Sequence, residues 1–280
     1  MAVRGSAEDH ARSDIIWQRG VVIAAPHHAP ATHQTLAAAL DPALEARSNI
    51  LLSTLPEAEW RRFQSVVQPV ELRPGQVLSE PGGATPFAIF PLTAIVSLLY
   101  MTRDGASTEV AVIGRDGMVG LGSLMGGNAT PSRAVVQTGG KALRVPLQWM
   151  QDEIERGGAL LEMLMRYAQA LMAQVAQSAV CNRFHSIDQQ LSRRLLTGLD
   201  LSPGDELELT HEAAASLLGV RREGVTSAAQ KLRLSGAIRY RRGHVAVLDR
   251  ARLEANSCEC YAVTKKAYRA LLRVRLSLAA

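Results

Sequence analysis

Between His33 and Cys181 this sequence contains neither histidine nor cysteine. That gap excludes several metal chemistries at once. A haem iron seated there would need an axial His or Cys, and an iron–sulfur cluster needs about four thiolates, usually from one N-terminal group. The 280-residue chain has only three cysteines, Cys181, Cys258 and Cys260, which do not make a disulfide framework. Cys258-Glu259-Cys260 offers two thiolates, but two further ligands are not near them; His244 and Cys181 are conceivable additions. No metal and no cofactor are therefore expected. Long apolar runs are lacking as well. None approaches the ~18–20 residues that span a membrane, and the first twenty residues carry acids and no signal-peptide core. These absences point to a cytoplasmic protein with no membrane partner.

What is present is concentrated in Leu209 to Ala237, LTHEAAASLLGVRREGVTSAAQKLRLSGA. Small and apolar residues (Ala214, Leu218, Val220, Val225, Ala228, Leu232) mark two short helices, with Ala215 where they cross. Gly219 falls where a tight turn needs a positive φ, and Thr210 caps the first helix with Glu212 in its first turn. The second helix leaves Arg221, Arg222, Glu223, Thr226, Ser227, Gln230 and Lys231 for solvent. These side chains can reach base edges and phosphates in a major groove. Alternation around Arg241-Arg242-Gly243-His244 follows, the pattern of a two-strand wing with a basic tip. Charge agrees with this reading. From Ser186 onward 16 Lys and Arg face 10 Asp and Glu, so this half is net +6 while the remainder is −1. The stretch is expected to be a winged helix-turn-helix that takes double-stranded DNA as partner.

Residues 1–47 show no sustained period and are expected to be a poorly ordered extension, with one short helix at Thr35 to Ala46. Asn49 to Val67 has the pattern of a helix pair. From Val70 short apolar runs follow at Gln76–Leu78, Phe87–Phe90, Ile95–Met101, Glu109–Ile113, Ala134–Gln137 and Ala142–Val145, separated by Gly-rich turns. Asp104-Gly105 between two alternating strands is a strong hairpin signal. About eight strands at this spacing imply a jelly-roll-like β-roll. Pro146 opens a helix that Gly157-Gly158 interrupts, and a long helix runs from Ala159 to His185. Its heptad seam places Leu161, Ala168 and Val175 at d and Leu164, Leu171 and Ser178 at a, which predicts a homodimer paired along this helix. Helix Ser186 to Leu199 leads into the DNA module, and the tail after Tyr261 is basic. The fold class is α+β. The expected domains are an extension (1–47), a β-roll sensor (48–150), helices including the dimerisation helix (151–186), the winged helix-turn-helix (187–262) and a basic tail (263–280).

This order, together with VELRPGQVL, FPLTAIVSLL, GRDGMVGL, SRAVVQ, CNRFHSIDQQLSRRLL and LTHEAAASLLGVRREGVT, resembles the Crp/Fnr family of bacterial transcription regulators over about Asn49 to Tyr261. The resemblance implies a homodimer that reads a palindromic operator under control of an effector sensed in the β-roll, with RNA polymerase as a further partner. It also implies an effector pocket around Gly120, Leu121, Gly122, Ser123 and Leu124, followed by Ser132, Arg133 and Ala134. The family's cyclic-AMP receptors carry a Glu where Leu121 stands and an Arg where Ser132 stands. Arg133 is displaced by one residue, which in a strand turns it to the opposite face. The ribose acceptor and the phosphate cation are thus both missing, and the effector is expected to be an unidentified small molecule other than cyclic AMP. By the same resemblance Arg222 meets a guanine and Glu223 a cytosine amino group, while Ser227 replaces a second base-reading Arg. Arg221, Lys231, Arg241 and Arg242 are left for phosphates, with Thr210 and its helix N-terminus as another phosphate site.

Two other classes are weighed against this. A metal-dependent cupin enzyme is excluded because Val70 to Val145 contains no His, and Cys181-x3-His185 lacks a third group to orient a nucleophile–base pair. No catalytic residues are expected. The alternative reading is a dimeric effector- or redox-sensing protein that acts without direct sequence-specific DNA binding.

Overall fold

The structure, a computed structural model, describes residues 47–83, 85–125, 130 and 132–273. The expectations for residues 1–46 and for the end of the tail lie outside them. The described chain begins with α1 (Ile50–Ser53) and α2 (Glu57–Gln64). Asn49 caps α1 through its Oδ1 and, fully buried, donates from Nδ2 to the carbonyls of Pro91 and Gly117. One side chain thereby starts a helix and ties it to a strand end and a loop of the sheet domain.

Seven strands follow among the described residues, where about eight were expected: β1 (Gln68–Leu72), β2 (Val77–Ser79), β3 (Phe87–Pro91), β4 (Ile95–Met101), β5 (Ser107–Ile113), β6 (Arg133–Thr138) and β7 (Gly140–Pro146). They form two antiparallel sheets, β1-β7-β3 and β2-β6-β4-β5. Leu72, Ile89, Val96, Ile113 and Val136 fill a core that draws on both. The Asp104-Gly105 signal marks the β4–β5 hairpin, but the pair of residues that closes it is Met101 and Ser107, so the loop is longer than two residues. A short helix α3 (Leu121–Leu124) opens on Gly120, whose φ of 103° only glycine holds without strain.

Helix α4 (Leu147–Arg156) ends at Gly157, and α5 (Ala159–Phe184) is the long helix. A second core joins α1, α2, α4 and α5 to the β1-β7-β3 sheet: Phe63 sits edge-on to Phe90 and Trp149 at ring distances of 5.6 and 5.8 Å. Fully buried Tyr167 of α5 donates to the carbonyl of Met118. The heptad register of α5 needs correction. Leu164 and Ser178 are buried by the chain itself, so neither lies on an outward face, and Leu171, half-buried, lines the cavity beneath the helix. The outward face runs Leu161, Met165, Ala168, Met172, Val175 and Ala179, with Met165 and Met172 66 % and 70 % exposed. On this face the spacing alternates four and three residues, so Met165 and Met172 take the places expected of Leu164 and Leu171.

Ser186 and Gln189 form a reciprocal capping box that starts α6 (Ile187–Leu201). The C-terminal module then packs α7 (His211–Leu218) and α8 (Arg222–Leu234) with a three-stranded sheet of β8 (Glu206–Glu208), β10 (His244–Val247) and β9 (Ile238–Arg241). It closes with α9 (Arg250–Asn256) and α10 (Glu259–Arg273), so the basic tail is helical through Arg273. Helix α10 lies against α5, where Tyr268 donates to Gln174 and sits edge-on to Tyr167.

Candidate nucleic-acid interface

Helix α7 begins at Thr210, whose hydroxyl accepts from the Ala213 N–H, and ends at Gly219 in the left-handed region at φ 65°. After this turn, α8 presents one face to its own module through Val225, Ala228, Ala229 and Leu232, all buried. The opposite face leaves Arg222, Glu223, Thr226, Ser227, Gln230 and Lys231 exposed, with Arg221 at the N-cap. The 3.6-residue period produces this division: burial of the small and branched residues forces the cations outward.

The wing turns through Arg242 and Gly243, at φ 49° and 85°, with Arg241 and His244 paired on either side. Two successive positive φ values define the type I′ geometry that suits a twisted hairpin. The wing is clamped to the start of α7, because Leu209 donates to the Gly243 carbonyl at 2.7 Å and Tyr240 donates to the Leu209 carbonyl. Thr210, Arg241, Arg242 and His244 are therefore exposed close to one another, flanking the helix pair.

Some of these side chains are engaged. Lys231 Nζ is 2.7 Å from Asp188, and Arg222 Nε is 3.9 Å from Glu212. Exposed pairs of this kind are worth about 0–1 kcal/mol, so a phosphate or a base can displace them. Thr226 donates to the Arg222 carbonyl, which leaves its oxygen to accept from His211 Nδ1 at 3.0 Å. Burial and the neighbouring Arg222 hold the His211 pKa below its ordinary value, so His211 is neutral at pH 7. Arg221, Arg241 and Arg242 make no ion pair among the described residues. They remain available cations.

The module rests on the sensor. Leu99 of β4 joins its core, Ser107 Oγ is 3.3 Å from Ser216 Oγ, and Thr108 Oγ1 donates to the Leu217 carbonyl. Below this contact Glu109 and Arg194 form an ion pair at 2.7 Å, their side chains 6 % and 8 % exposed, with Ser97 donating to the carboxylate. Sequence reasoning did not find this pair. Glu109 reads as an ordinary strand residue until its partner, 85 positions away in sequence, is in place.

The residues assigned to the effector pocket divide. Gly120, Leu121, Gly122 and Ser132 line a cavity of about 150 Å³ between the β-roll and α5, where Leu171 and Val175 close it. Ser123, Leu124, Arg133 and Ala134 do not line it among the described residues. Ala134 is in the sheet core, and Arg133 pairs with Glu80 at 3.1 Å. The described lining has hydroxyls at Ser79, Thr85, Tyr100, Thr130 and Ser132 but no charged side chain. The expectation that Cys258 and Cys260 lack nearby ligands is corrected: the chain brings Cys181 and His185 onto them, while His244 sits exposed on the wing. The hydrogen bond between Cys181 and Cys258 favours the Cys258 thiolate and lowers that thiol below its usual range.

The architecture is an antiparallel β-roll, a long helix with an outward apolar face and a winged helix-turn-helix. Residues 189–256 match the family described as the Crp-like helix-turn-helix domain. The fold resembles that of solved Crp/Fnr-family regulators over about two thirds of the chain. FixK2 of Bradyrhizobium japonicum superposes with a TM-score of 0.60 at 14 % identity, over 69 % of this chain and 98 % of that one. A Crp/Fnr-family transcriptional regulator of Thermus thermophilus does so with a TM-score of 0.55 at 21 % identity, over 68 % and 98 %. The c-di-GMP responsive global regulator CLP of Xanthomonas campestris gives a TM-score of 0.54 at 15 % identity, over 69 % and 99 %. No curated protein matches the sequence. No helix among the described residues is long and apolar enough to cross a membrane.

Proposed function

We propose that this chain is a cytoplasmic, sequence-specific DNA-binding transcription regulator that reads a palindromic operator as a homodimer, controlled by a signal other than cyclic AMP, and that it is not an enzyme. The observation that carries this is the exposed cationic face of α8, with the wing tip and the α7 N-terminus beside it. In that arrangement α8 enters the major groove, Arg222 and Glu223 read a G·C pair, and Arg221, Arg241, Arg242 and Lys231 hold phosphates. The dimer forms through the outward face of α5. The uncharged lining of the cavity supports an effector other than cyclic AMP, since a cyclic phosphate there would meet no cation. RNA polymerase is the further partner such a regulator requires.

The test is fluorescence anisotropy of the reduced, full-length protein on DNA from upstream of its own gene, at several salt concentrations. Expected is an affinity for one palindromic segment that falls linearly on a log–log salt plot. No binding to any DNA at low salt would sink the reading and leave the effector-sensing alternative.

A further inference from the structure

Cys181 and His185 are one turn apart at the end of α5, and Cys258 and Cys260 flank Glu259 where α10 begins. The four ligand atoms all lie within 4.8 Å of one another. Cys181 Sγ is 3.6 Å from Cys258 Sγ, and Cys260 Sγ is 3.5 Å from His185 Nδ1. Around a tetrahedral zinc with bonds of ~2.3 Å to sulfur and ~2.0–2.1 Å to nitrogen, two sulfurs stand ~3.8 Å apart and a sulfur and a nitrogen ~3.5 Å. The two close pairs match the edges of such a tetrahedron, and the group as a whole, within 4.8 Å, needs only a small contraction to close on one ion. The separations are too long for a disulfide, whose sulfurs are ~2.05 Å apart. They are also too compact for a four-iron cluster, in which each thiolate is carried by a different iron.

We propose that Cys181, His185, Cys258 and Cys260 bind one thiophilic divalent cation, zinc by preference, in a closed three-sulfur, one-nitrogen site. The surroundings fit. The three cysteines are buried and His185 partly so. His185 Nε2 faces Glu259 at 3.3 Å, the carboxylate–histidine arrangement that fixes which ring nitrogen meets a metal. Gln190 donates to the carbonyls of Cys181 and His185, holding the end of α5 in shape. Four protein ligands leave no position for a substrate, so the ion is structural, not catalytic. Two ligands belong to the long helix and two follow α9 of the DNA module. The ion therefore staples that module to the helix that ends just before it, across 77 residues of sequence between Cys181 and Cys258. Thiols must lose their protons to bind, so uptake of the ion releases protons and weakens as pH falls.

The proposal does not depend on the DNA-binding reading, because its test is made on the protein alone. Full-length protein purified under reducing conditions from zinc-supplemented cells is analysed for metal by mass spectrometry. It is then stripped with a chelator and titrated with cobalt(II). Expected are one zinc per chain and one cobalt per chain, the latter with the visible bands of a tetrahedral ion and near-ultraviolet thiolate charge transfer. Cys260→Ser should weaken cobalt binding at least tenfold. Should that variant fail to fold, Cys260→His retains four ligands and should keep the tetrahedral bands with one thiolate fewer. Reduced wild-type protein that carries no metal, shows three free thiols and gives no tetrahedral cobalt spectrum would overturn the proposal. A Cys181–Cys258 disulfide in protein that takes up no metal after reduction would do the same, and would assign the cluster to redox chemistry instead.

Discussion

Burial pushes the Asp116 carboxyl up to about 6, against hydrogen bonds from backbone N–H groups and the pull of Arg115 that lower it. Its Oδ1 is buried without a hydrogen-bond partner. Relative to the unfolded chain, the native state thus favours the neutral acid. The stability this group contributes is complete below its unfolded pKa of ~4 and is lost as pH rises through about 6. Asp116→Asn should raise stability by about 1–3 kcal/mol at pH 8, and the gain should shrink to nothing at pH 4. Paired thermal melts of variant and wild type at the two pH values measure this; an equal gain at both would show that charge is not the cause. At the same scale, base reading and phosphate holding separate by experiment. Arg222→Ala should cost about 1–3 kcal/mol on the operator and relax preference at one base pair. Arg242→Ala should weaken all DNA alike and reduce the salt slope by about one. Anisotropy on operator and scrambled DNA tells the two apart.

Among the elements, α6 is the structural hub, since it touches α7, α8, α9 and the sensor strand β5. Its Arg194 has no water to fall back on if Glu109 is lost. Removing either charge alone should cost about 3–5 kcal/mol, whereas replacing both by apolar residues of similar volume should recover most of that. Chemical denaturation of Arg194→Met, Glu109→Leu and the double variant checks this; additive losses would mean that the two charges act independently. Legibility varied along the chain for reasons seen in these same elements. The helix-turn-helix was readable because Gly219, Thr210 and the apolar period each carry local chemistry. Strand β8, Glu-Leu-Glu, was missed because three residues with two charges leave no pattern until β10 supplies its ladder. The phase of the α5 seam was misassigned because Leu164 and Met165 are both apolar, and only packing against the β-roll decides which one faces inward. Cys181-x3-His185 and Cys258-x-Cys260 were each noticed, but their meeting is a tertiary event that no spacing rule encodes.

For the molecule as a whole, the exposed Met165 and Met172 are the anomaly, since soluble surfaces seldom carry large apolar side chains in register along a helix. Pairing two copies of α5 covers them. Met172→Glu should then place two carboxylates in an apolar seam and yield a monomer by sedimentation, with the secondary structure unchanged by circular dichroism. A dimer that persists would move the interface elsewhere. In the proposed dimer the cavity would lie beside the seam, because Val175 lines the cavity and is on the outward face of α5, so an occupant of the β-roll would act on the partner through the shared helix.

The contact of Ser107 and Thr108 with the end of α7 has a consequence for the operator itself. In the proposed dimer each α8 would be seated, through its module, on the β4–β5 hairpin of its own chain, not hung from a slack tether, and the separation of the two heads would then be a fixed length. DNA must match that length in phase as well as in distance. One added base pair between the half-sites advances one of them by about 3.4 Å and turns it by about 34–36° around the duplex axis. Neither head can follow without leaving its hairpin. Operators lengthened by a single central base pair should therefore lose binding as severely as operators with one half-site erased. A titration of the spacing series would expose the protein as a ruler.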